Sequence, residues 1–240
     1  MDVNLRVSKK IYRKKSILDS IPAELVIDIV ARAATCSSKD LFNTRLSCKT
    51  LNKLGDDKFI IQHVSLDKFP VIPWKISDQQ AIFWDRCINS GNSEAIYRRG
   101  IVHYFGRFGK GDRESCMECL QKAANLGHLE ATYVTGMLGI LLGGEIKQRG
   151  MKIISDMKKS KMSKHRTREA REKLLRTLQS NFWSSPESVV KQRWPTCCTR
   201  HPHAKLVVQG WETHDVDLEC EACLCDQEIL HVGSIIPDYI

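Results

Sequence analysis

The sequence predicts a mainly α-helical protein made of three parts, and three observations support this fold class. Apolar residues recur at helical spacing through residues 16–69, which predicts a three-helix N-terminal unit. Two similar segments lie 36 residues apart within residues 78–162, which predicts a short region of antiparallel α–α repeats. Five of the ten cysteines fall between residues 197 and 225, which predicts a small Cys/His-rich β module at residues 193–240.

The composition favours an intracellular, globular chain. Of the 240 residues, 42% are hydrophobic and 27% are charged, and there is no run of 18 apolar residues that would predict a membrane span. We therefore expect the nucleus and/or the cytoplasm, where the cysteines are thiols or metal ligands rather than disulfides. The net charge of +9 comes from residues 147–176, which hold 12 Lys+Arg and 3 Asp+Glu. Because the remainder is neutral, a general nucleic-acid-binding surface is not predicted.

Residues 1–15 form a basic N-terminal tail. They hold six Lys and Arg residues and lack the apolar core of a signal peptide. Two interpretations stay open, a nuclear-import signal and a solvated, disordered tail. We favour the disordered tail.

Residues 16–69 carry the pattern of short amphipathic helices. Pro22 suits the first turn of a helix, because an N–H at that position would have no intrahelical partner. After a break at residues 35–38, Asp40 lies in the first turn of a second helix, where the helix dipole favours a carboxylate. The apolar periodicity continues to Gly55, a predicted C-cap. A unit this small buries little surface, so an apolar face is left over for a partner.

This segment resembles the F-box. The residues that carry the resemblance keep the order and spacing of the family pattern, and they are Ile21-Pro22, Leu25, Ile29-Val30, Asp40-Leu41 and Arg45-Leu46-Ser47-Cys48-Lys49. The sequence departs from the pattern at Leu51, where the family usually has Trp, and at Ile21, which replaces Leu. An ordinary helical hairpin is the alternative interpretation.

The resemblance implies that the apolar face of this unit binds a Skp-type adaptor, which in turn is attached to a cullin. The six residues implied to make this contact are Pro22, Leu25, Val26, Ile29, Leu41 and Leu46.

A linker at residues 70–77, marked by two prolines, precedes the repeats at residues 78–162. The ten residues from Gly91 and the ten from Gly127 are identical at five positions, including an Ala and a second Gly in each. With the Lys122-Ala123 pair, the second segment resembles the Sel-like repeat, a relative of the tetratricopeptide repeat. Two units are visible, and they predict either a protein-binding surface or a scaffold that extends the N-terminal unit.

Two further features lie beside the repeats. Cys116 and Cys119 form a CxxC pair on a predicted helix with no second pair nearby, so we interpret them as packing thiols rather than metal ligands. Residues 163–192 are predicted to be one basic helix followed by a linker. Because this segment lacks interleaved aromatic residues, most of its charge is interpreted as a solvated face.

The C-terminal module contains two chelating pairs, 18 residues apart. Cys198 with His201 and Cys220 with Cys223 are the predicted ligands of one structural zinc ion, because two such pairs complete a tetrahedral site. The competing ligands that stay open are Cys197, His203 and Cys225. Plain thiols in a small β module are the alternative, and residues 228–232 are predicted to be a short strand.

The order of F-box, Sel-like repeats and a Cys/His-rich tail resembles a group of plant F-box proteins. The resemblance implies a substrate receptor of an SCF-type ubiquitin ligase, which holds an unidentified protein target and performs no chemistry itself. No motif for nucleophilic or phosphate chemistry is present in the sequence. The runner-up function is a nucleic-acid-binding regulator that uses residues 147–176 and the zinc module.

Overall fold

The computed structural model describes residues 17–71, 77–105, 113–181 and 220–233, and within them the chain is helical, with no strand. The mainly α-helical prediction is confirmed for these residues. The chain divides into two compact units between Lys68 and Phe69. The first unit holds a 3-10 helix at Ile17–Ser20 and four helices, namely α1 (Ala23–Cys36), α2 (Ser38–Ser47), α3 (Lys49–Leu54) and α4 (Lys58–His63).

The described part of the first unit contains four short α-helices where three were predicted. The extra break lies at Cys48, whose extended backbone separates α2 from α3 and whose Sγ accepts a hydrogen bond from Leu51 N–H at 3.4 Å. Gly55 is the C-cap of α3, as predicted, although it has ordinary right-handed dihedral angles. A Cβ atom at Gly55 would lie 2.5 Å from Arg45 Cγ, so close packing explains this glycine.

Within its described residues, the second unit consists of helix pairs followed by one further helix. Its helices are α5 (Asp78–Ser90), α6 (Ser93–Phe105), α7 (Arg113–Asn125), α8 (Leu129–Leu142), α9 (Gly144–Met157), α10 (Lys161–Asn181) and α11 (Glu221–Gly233). From α5 to α10 each helix packs on the next in the chain. This neighbour-on-neighbour packing is the arrangement of a helical repeat array.

The pairs α5–α6 and α7–α8 are structural repeats of one another. Gly91 and Gly127 have φ of 86° and 84°, the left-handed conformation that reverses the chain between the two helices of a pair. A Cβ at Gly100 would contact Leu120 on the following helix, and a Cβ at Gly136 would contact Ile154 on the helix that follows it. Each glycine thus permits close approach of the next helix, so the two glycines that the sequence repeat aligns occupy equivalent positions in the fold.

Helices α9 and α10 form a third pair that the sequence repeat did not predict. The second helix of every pair begins with a side chain that accepts a hydrogen bond from the backbone N–H three residues later. The acceptors are Asn92 Oδ1 at 3.1 Å, His128 Nδ1 at 3.1 Å and Ser160 Oγ at 3.1 Å. Since an amide, an imidazole and a hydroxyl share this role, residue identity does not reveal the third pair.

Helices α8 and α9 approach each other through glycines. A Cβ at Gly150 would lie 2.6 Å from Gly136 O and 2.7 Å from Ile140 N, and a Cβ at Gly139 would lie 3.2 Å from Gly150 Cα. The backbones of the two helices are therefore in direct contact. Around this contact lies the main core of the unit, which includes Ile101, Leu120, Met137, Leu138, Ile154 and Leu174.

The predicted strand at residues 228–232 is wrong, because these residues lie inside α11. Cys225, Ile229 and Val232 recur at helical spacing and are buried in the core of the second unit. The five-residue window was too short to distinguish a strand from a buried helix. Of the predicted β module at residues 193–240, residues 221–233 are helical, and residues 193–219 and 234–240 lie outside the described residues.

Candidate functional site

The first unit presents an apolar pair on α1. Leu25 and Ile29 are 56% and 60% exposed, and their spacing of four residues places them on one face of the helix. The opposite face of α1 is buried through Val26, Val30 and Ala34. The helix therefore has apolar residues on two faces, and only one of these faces is buried in the core of the unit.

The six predicted adaptor-binding residues divide into two classes. Pro22, Leu25, Ile29 and Leu46 are exposed, and Leu46 is 84% exposed. Val26 and Leu41 are buried in the core of the unit. These two buried side chains help to hold the helices that carry the exposed ones, and the assignment of all six as contact residues stays a prediction.

Sequence reasoning missed Phe42 as a member of the exposed set. Phe42 is 37% exposed and lies four residues before Leu46, on the same side of α2. The same spacing relates Leu25 to Ile29 on α1. The i, i+4 spacing to Leu46 was the signal that could have identified Phe42.

Polar contacts hold the helices that carry this apolar face. Arg45 pairs with Asp56 at 2.8 Å, and its Nε donates to Asn52 Oδ1 at 3.3 Å, which ties α2 to the end of α3. Thr35 Oγ1 donates to His63 O at 3.2 Å, which ties the end of α1 to the end of α4. These contacts hold in place the helices that carry the exposed Leu25, Ile29 and Leu46.

A network centred on Glu94 joins the first two repeat pairs. Glu94 Oε2 accepts a hydrogen bond from His128 Nε2 at 2.6 Å, and its other oxygen is bonded to Arg98. Burial raises the pKa of Glu94, but the hydrogen bond from His128 and the charge of Arg98 outweigh it and lower the pKa to about 2. Arg98 also donates to Phe69 O at 2.9 Å, and its guanidinium lies 5.8 Å from the centre of the Trp84 ring. The start of the second unit is therefore fixed to α6.

A second network, centred on Glu228, joins α11 to the three helices before it. Tyr133 O–H donates to Glu228 Oε2 at 2.7 Å, Lys158 Nζ lies 2.6 Å from Oε1, and Arg171 donates to Oε1 at 2.8 Å. Glu228 is completely buried. Burial raises the pKa of this carboxyl, but the charges of Lys158 and Arg171 outweigh burial and lower it. Glu228 is thus the charged anchor of α11.

The cysteines of the described residues separate into core thiols and candidate ligands. Cys116 is buried and its Sγ–H donates to Gly100 O at 3.4 Å, in agreement with its predicted packing role. Cys225 is also buried, with its Sγ 3.9 Å from Met151 O, and burial raises its pKa to about 12.

Two of the four predicted zinc ligands lie in the described residues. Cys220 immediately precedes α11 and Cys223 lies in its first turn, and spacing of three residues places both on one side of the helix. The other two ligands, Cys198 and His201, lie outside the described residues, as do Cys197 and His203. The described ranges contain no cluster of three or more His, Cys, Asp or Glu residues arranged to hold a metal.

The basic residues between 147 and 176 have several different roles. Lys158 and Arg171 are buried against Glu228. Lys173 pairs with Glu130, and Arg176 pairs with Glu172 at 3.0 Å. Part of the positive charge is therefore neutralised by ion pairs within the protein and is not available to an external anion.

None of the described helices is both long enough and apolar enough to cross a membrane. Residues 66–176 match the family of plant tetratrico peptide repeats, a span that runs from the end of the first unit into α10. The helical repeat character of the second unit is thus supported by sequence family as well as by geometry.

Comparison with curated proteins returns relatives from Arabidopsis thaliana. One, whose name carries a provisional F-box assignment, is 33% identical over 198 residues, which cover 80% of this chain and 65% of the relative. A second is 31% identical over 119 residues, which cover 49% of this chain and 31% of that relative. A third is 28% identical over 131 residues, which cover 53% of this chain and 76% of that relative. These relatives are named F-box proteins.

The chain spans less than two thirds of the length of the first two of these relatives. No name among them refers to nucleic acid, so the comparisons give the nucleic-acid alternative no support. No solved structure was found to match the chain.

Proposed function

We propose that the chain is a substrate-receptor subunit of an SCF-type cullin ubiquitin ligase. The observation that carries the proposal is the set of exposed apolar side chains on a small helical unit, namely Leu25, Ile29 and Leu46. Burial of such a side chain contributes roughly 1.5–3 kcal/mol, so these side chains are suited to act as anchors in an interface. The F-box names of the curated relatives support a Skp-type adaptor as that partner.

In this role the protein is not an enzyme. The first unit binds the adaptor, and the adaptor joins the receptor to the cullin. The repeat unit, proposed to be of the Sel-like type, and the C-terminal module bind a target protein in the nucleus or the cytoplasm. The receptor accelerates transfer by holding a lysine of the target near the charged ubiquitin-conjugating enzyme.

Co-purification with a Skp-type adaptor tests the first step. We expect the double substitution Leu25→Lys with Ile29→Lys to abolish binding, since one buried interface anchor alone contributes on the order of 2 kcal/mol. The matched control is Ile82→Lys on α5, where the side chain is 62% exposed but belongs to the second unit. The proposed binding face on the first unit would be refuted if the double variant still bound the adaptor. It would also be refuted if Ile82→Lys reduced adaptor binding as much as the double substitution does.

We also propose one structural zinc ion held by Cys198, His201, Cys220 and Cys223. The position of Cys220 and Cys223 at the start of α11 and the burial of Cys225 in the core support this ligand set. The full chain purified without chelator should contain one zinc per molecule by elemental analysis. Joint replacement of Cys220 and Cys223 by Ser should remove the zinc, whereas Cys116→Ser should not. A zinc content unchanged by the joint replacement would contradict the ligand set.

A further inference from the structure

Two segments of the chain carry strong charge of opposite sign. Residues 144–181, which contain α9 and α10, hold 12 Lys and Arg against 4 Asp and Glu. Residues 212–228 hold seven Asp and Glu and no Lys or Arg. Residues 77–142, which contain the first two repeat pairs, hold seven residues of each sign. The third repeat pair is therefore the basic part of the array, and an acidic segment follows it in the chain.

Four exposed cations follow the outward side of α9 and the turn into α10. They are Arg149, Lys152, Lys159 and Lys161, and we call this surface the basic face. Spacings of three or four residues place Arg149, Lys152, Asp156 and Lys159 on one side of the helix. Asp156 pairs with Lys159, whereas Arg149 and Lys161 form no ion pair with another described residue. The basic face thus keeps positive charge that the described part of the protein does not neutralise.

The first turn of α11 lies beside the basic face. Ser155 Oγ donates to Glu221 Oε1 at 2.8 Å. Lys152 and Lys159 lie three residues before and four residues after Ser155, so they flank this hydrogen bond. The hydrogen bond to Asp156 is the main cause that raises the pKa of Lys159, and the charge of Glu221 raises it further. The chain therefore enters α11 next to Lys152 and Lys159.

The acidic residues that precede α11 are close enough in the chain to reach the basic face. An extended chain spans at most about 3.6 Å per residue, so Glu219 and Asp217 lie within about 7 and 14 Å of Glu221. Asp215, Asp217 and Glu219 alternate with apolar residues. Alternate side chains of an extended chain point the same way, so the three carboxylates would share one side. Residues 212–219 lie outside the described residues.

We propose that the basic face is a binding site for residues 212–219 of the same chain, which lie along it in an extended conformation with Asp215, Asp217 and Glu219 paired to its cations. Each exposed ion pair is weak, but attachment to α11 holds the segment at an effective concentration on the order of mM, so several weak pairs are sufficient. An external polyanion then has to displace the chain's own carboxylates. This inference concerns the second unit alone and does not depend on adaptor binding.

Zero-length cross-linking of the full chain tests this contact. A water-soluble carbodiimide activates a carboxyl group, and a lysine amine in contact with that group forms an amide bond and releases the reagent as a urea. We expect mass spectrometry to find amides from Asp217 and Glu219 to the lysines of the basic face at low salt. They should be several-fold fewer in 1 M NaCl, where the screening length is about 3 Å. The matched control is Lys173, which is 65% exposed, close to the 69% of Lys159, but lies about 18 Å further along α10 than Lys161.

Binding of a polyanion measures how far the basic face is occupied. The probe is a short fluorescent strand of thymidines, and the acid-neutral variant carries Asp215→Asn, Asp217→Asn and Glu219→Gln. Since one exposed pair contributes about two- to threefold, the loss of three pairs should raise the affinity of the full chain for the probe about tenfold at low salt. Joint replacement of Lys152 and Lys159 by Gln should remove most of this gain. The same replacement in the wild-type chain should change the affinity little, because the acidic segment already pairs with these lysines.

Three results would overturn the proposal. The first is a yield of amides from residues 212–219 that is as high at Lys173 as at the basic face. The second is equal affinity of the wild-type chain and the acid-neutral variant for the probe, with helical content confirmed by circular dichroism. The third is the finding, in a mixture of isotope-labelled and unlabelled protein, that the amides join two chains, which would assign the basic face to the acidic segment of a second copy. If the acid-neutral variant does not fold, cross-linking of the wild-type chain decides.

Discussion

Replacing Gly150 with alanine would insert a methyl group between two helices whose backbones touch. In an exposed helix interior this change stabilises a protein by about 1 kcal/mol, because alanine has the higher helix propensity. At Gly150 the new Cβ would lie 2.6 Å from Gly136 O, 2.7 Å from Ile140 N and 3.0 Å from Gly139 C. All three are backbone atoms, so none of them can rotate away.

The free-energy cost of the clash is therefore expected to exceed the gain from the higher helix propensity of alanine. Overpacking a well-filled contact costs about 1–3 kcal/mol, and relief here requires α8 and α9 to move apart along the main core. We expect Gly150→Ala to lower the free energy of unfolding by about 1–2 kcal/mol after the propensity gain is subtracted.

Urea unfolding of the full chain, followed by circular dichroism, measures this difference. The comparison variant is Gly100→Ala, where the new Cβ would lie 2.8 Å from Leu120 Cγ and 2.9 Å from Leu120 Cδ2, both side-chain atoms. We expect this variant to lose less stability than Gly150→Ala, because a side chain can adjust more easily than the backbone of a packed helix. A Gly150→Ala protein as stable as the wild type would show that α8 and α9 do not pack through direct backbone contact.

Two further predictions concern the buried carboxylates. The pKa of Glu94 is lowered from 4.5 to about 2 on folding, so its stabilising contribution is present above about pH 4.5 and is lost as the pH falls towards 2. The stability difference between wild type and Glu94→Gln should shrink over that window in denaturant titrations, and a difference independent of pH would contradict it. Tyr133→Phe removes the hydroxyl that donates to Glu228 and should cost about 1.5–3 kcal/mol by the same assay. A loss below 0.5 kcal/mol, roughly the error of such titrations, would show that another donor replaces the hydroxyl.

The register of the repeats could be predicted because glycine has few structural substitutes. Gly91 and Gly127 take a left-handed conformation, and Gly100 and Gly136 admit a neighbouring helix, so both pairs are restricted by geometry. Because glycine is the residue that meets these restrictions, they can be read directly from its positions in the sequence. The third repeat pair lacks these glycines in register, so the same reasoning could not find it.

Which apolar residues face a partner could not be predicted. Val26 and Leu25 are neighbours of similar hydrophobicity, yet one is buried and the other is 56% exposed. Their roles depend on where α2 and α4 pack on α1, which is tertiary information. Helix α11 was missed for a related reason, since the partners of Glu228 lie 57 to 95 residues away in the chain.

The three different caps of the repeat array give its middle pair a chemical property that the outer pairs lack. Asn92 and Ser160 accept their hydrogen bonds through oxygen, but His128 accepts through Nδ1, which can do so only without a proton. The ring proton of the neutral imidazole then lies on Nε2, which donates to Glu94. The cap of α8 thus also sets the direction of the hydrogen bond that joins the first two repeat pairs.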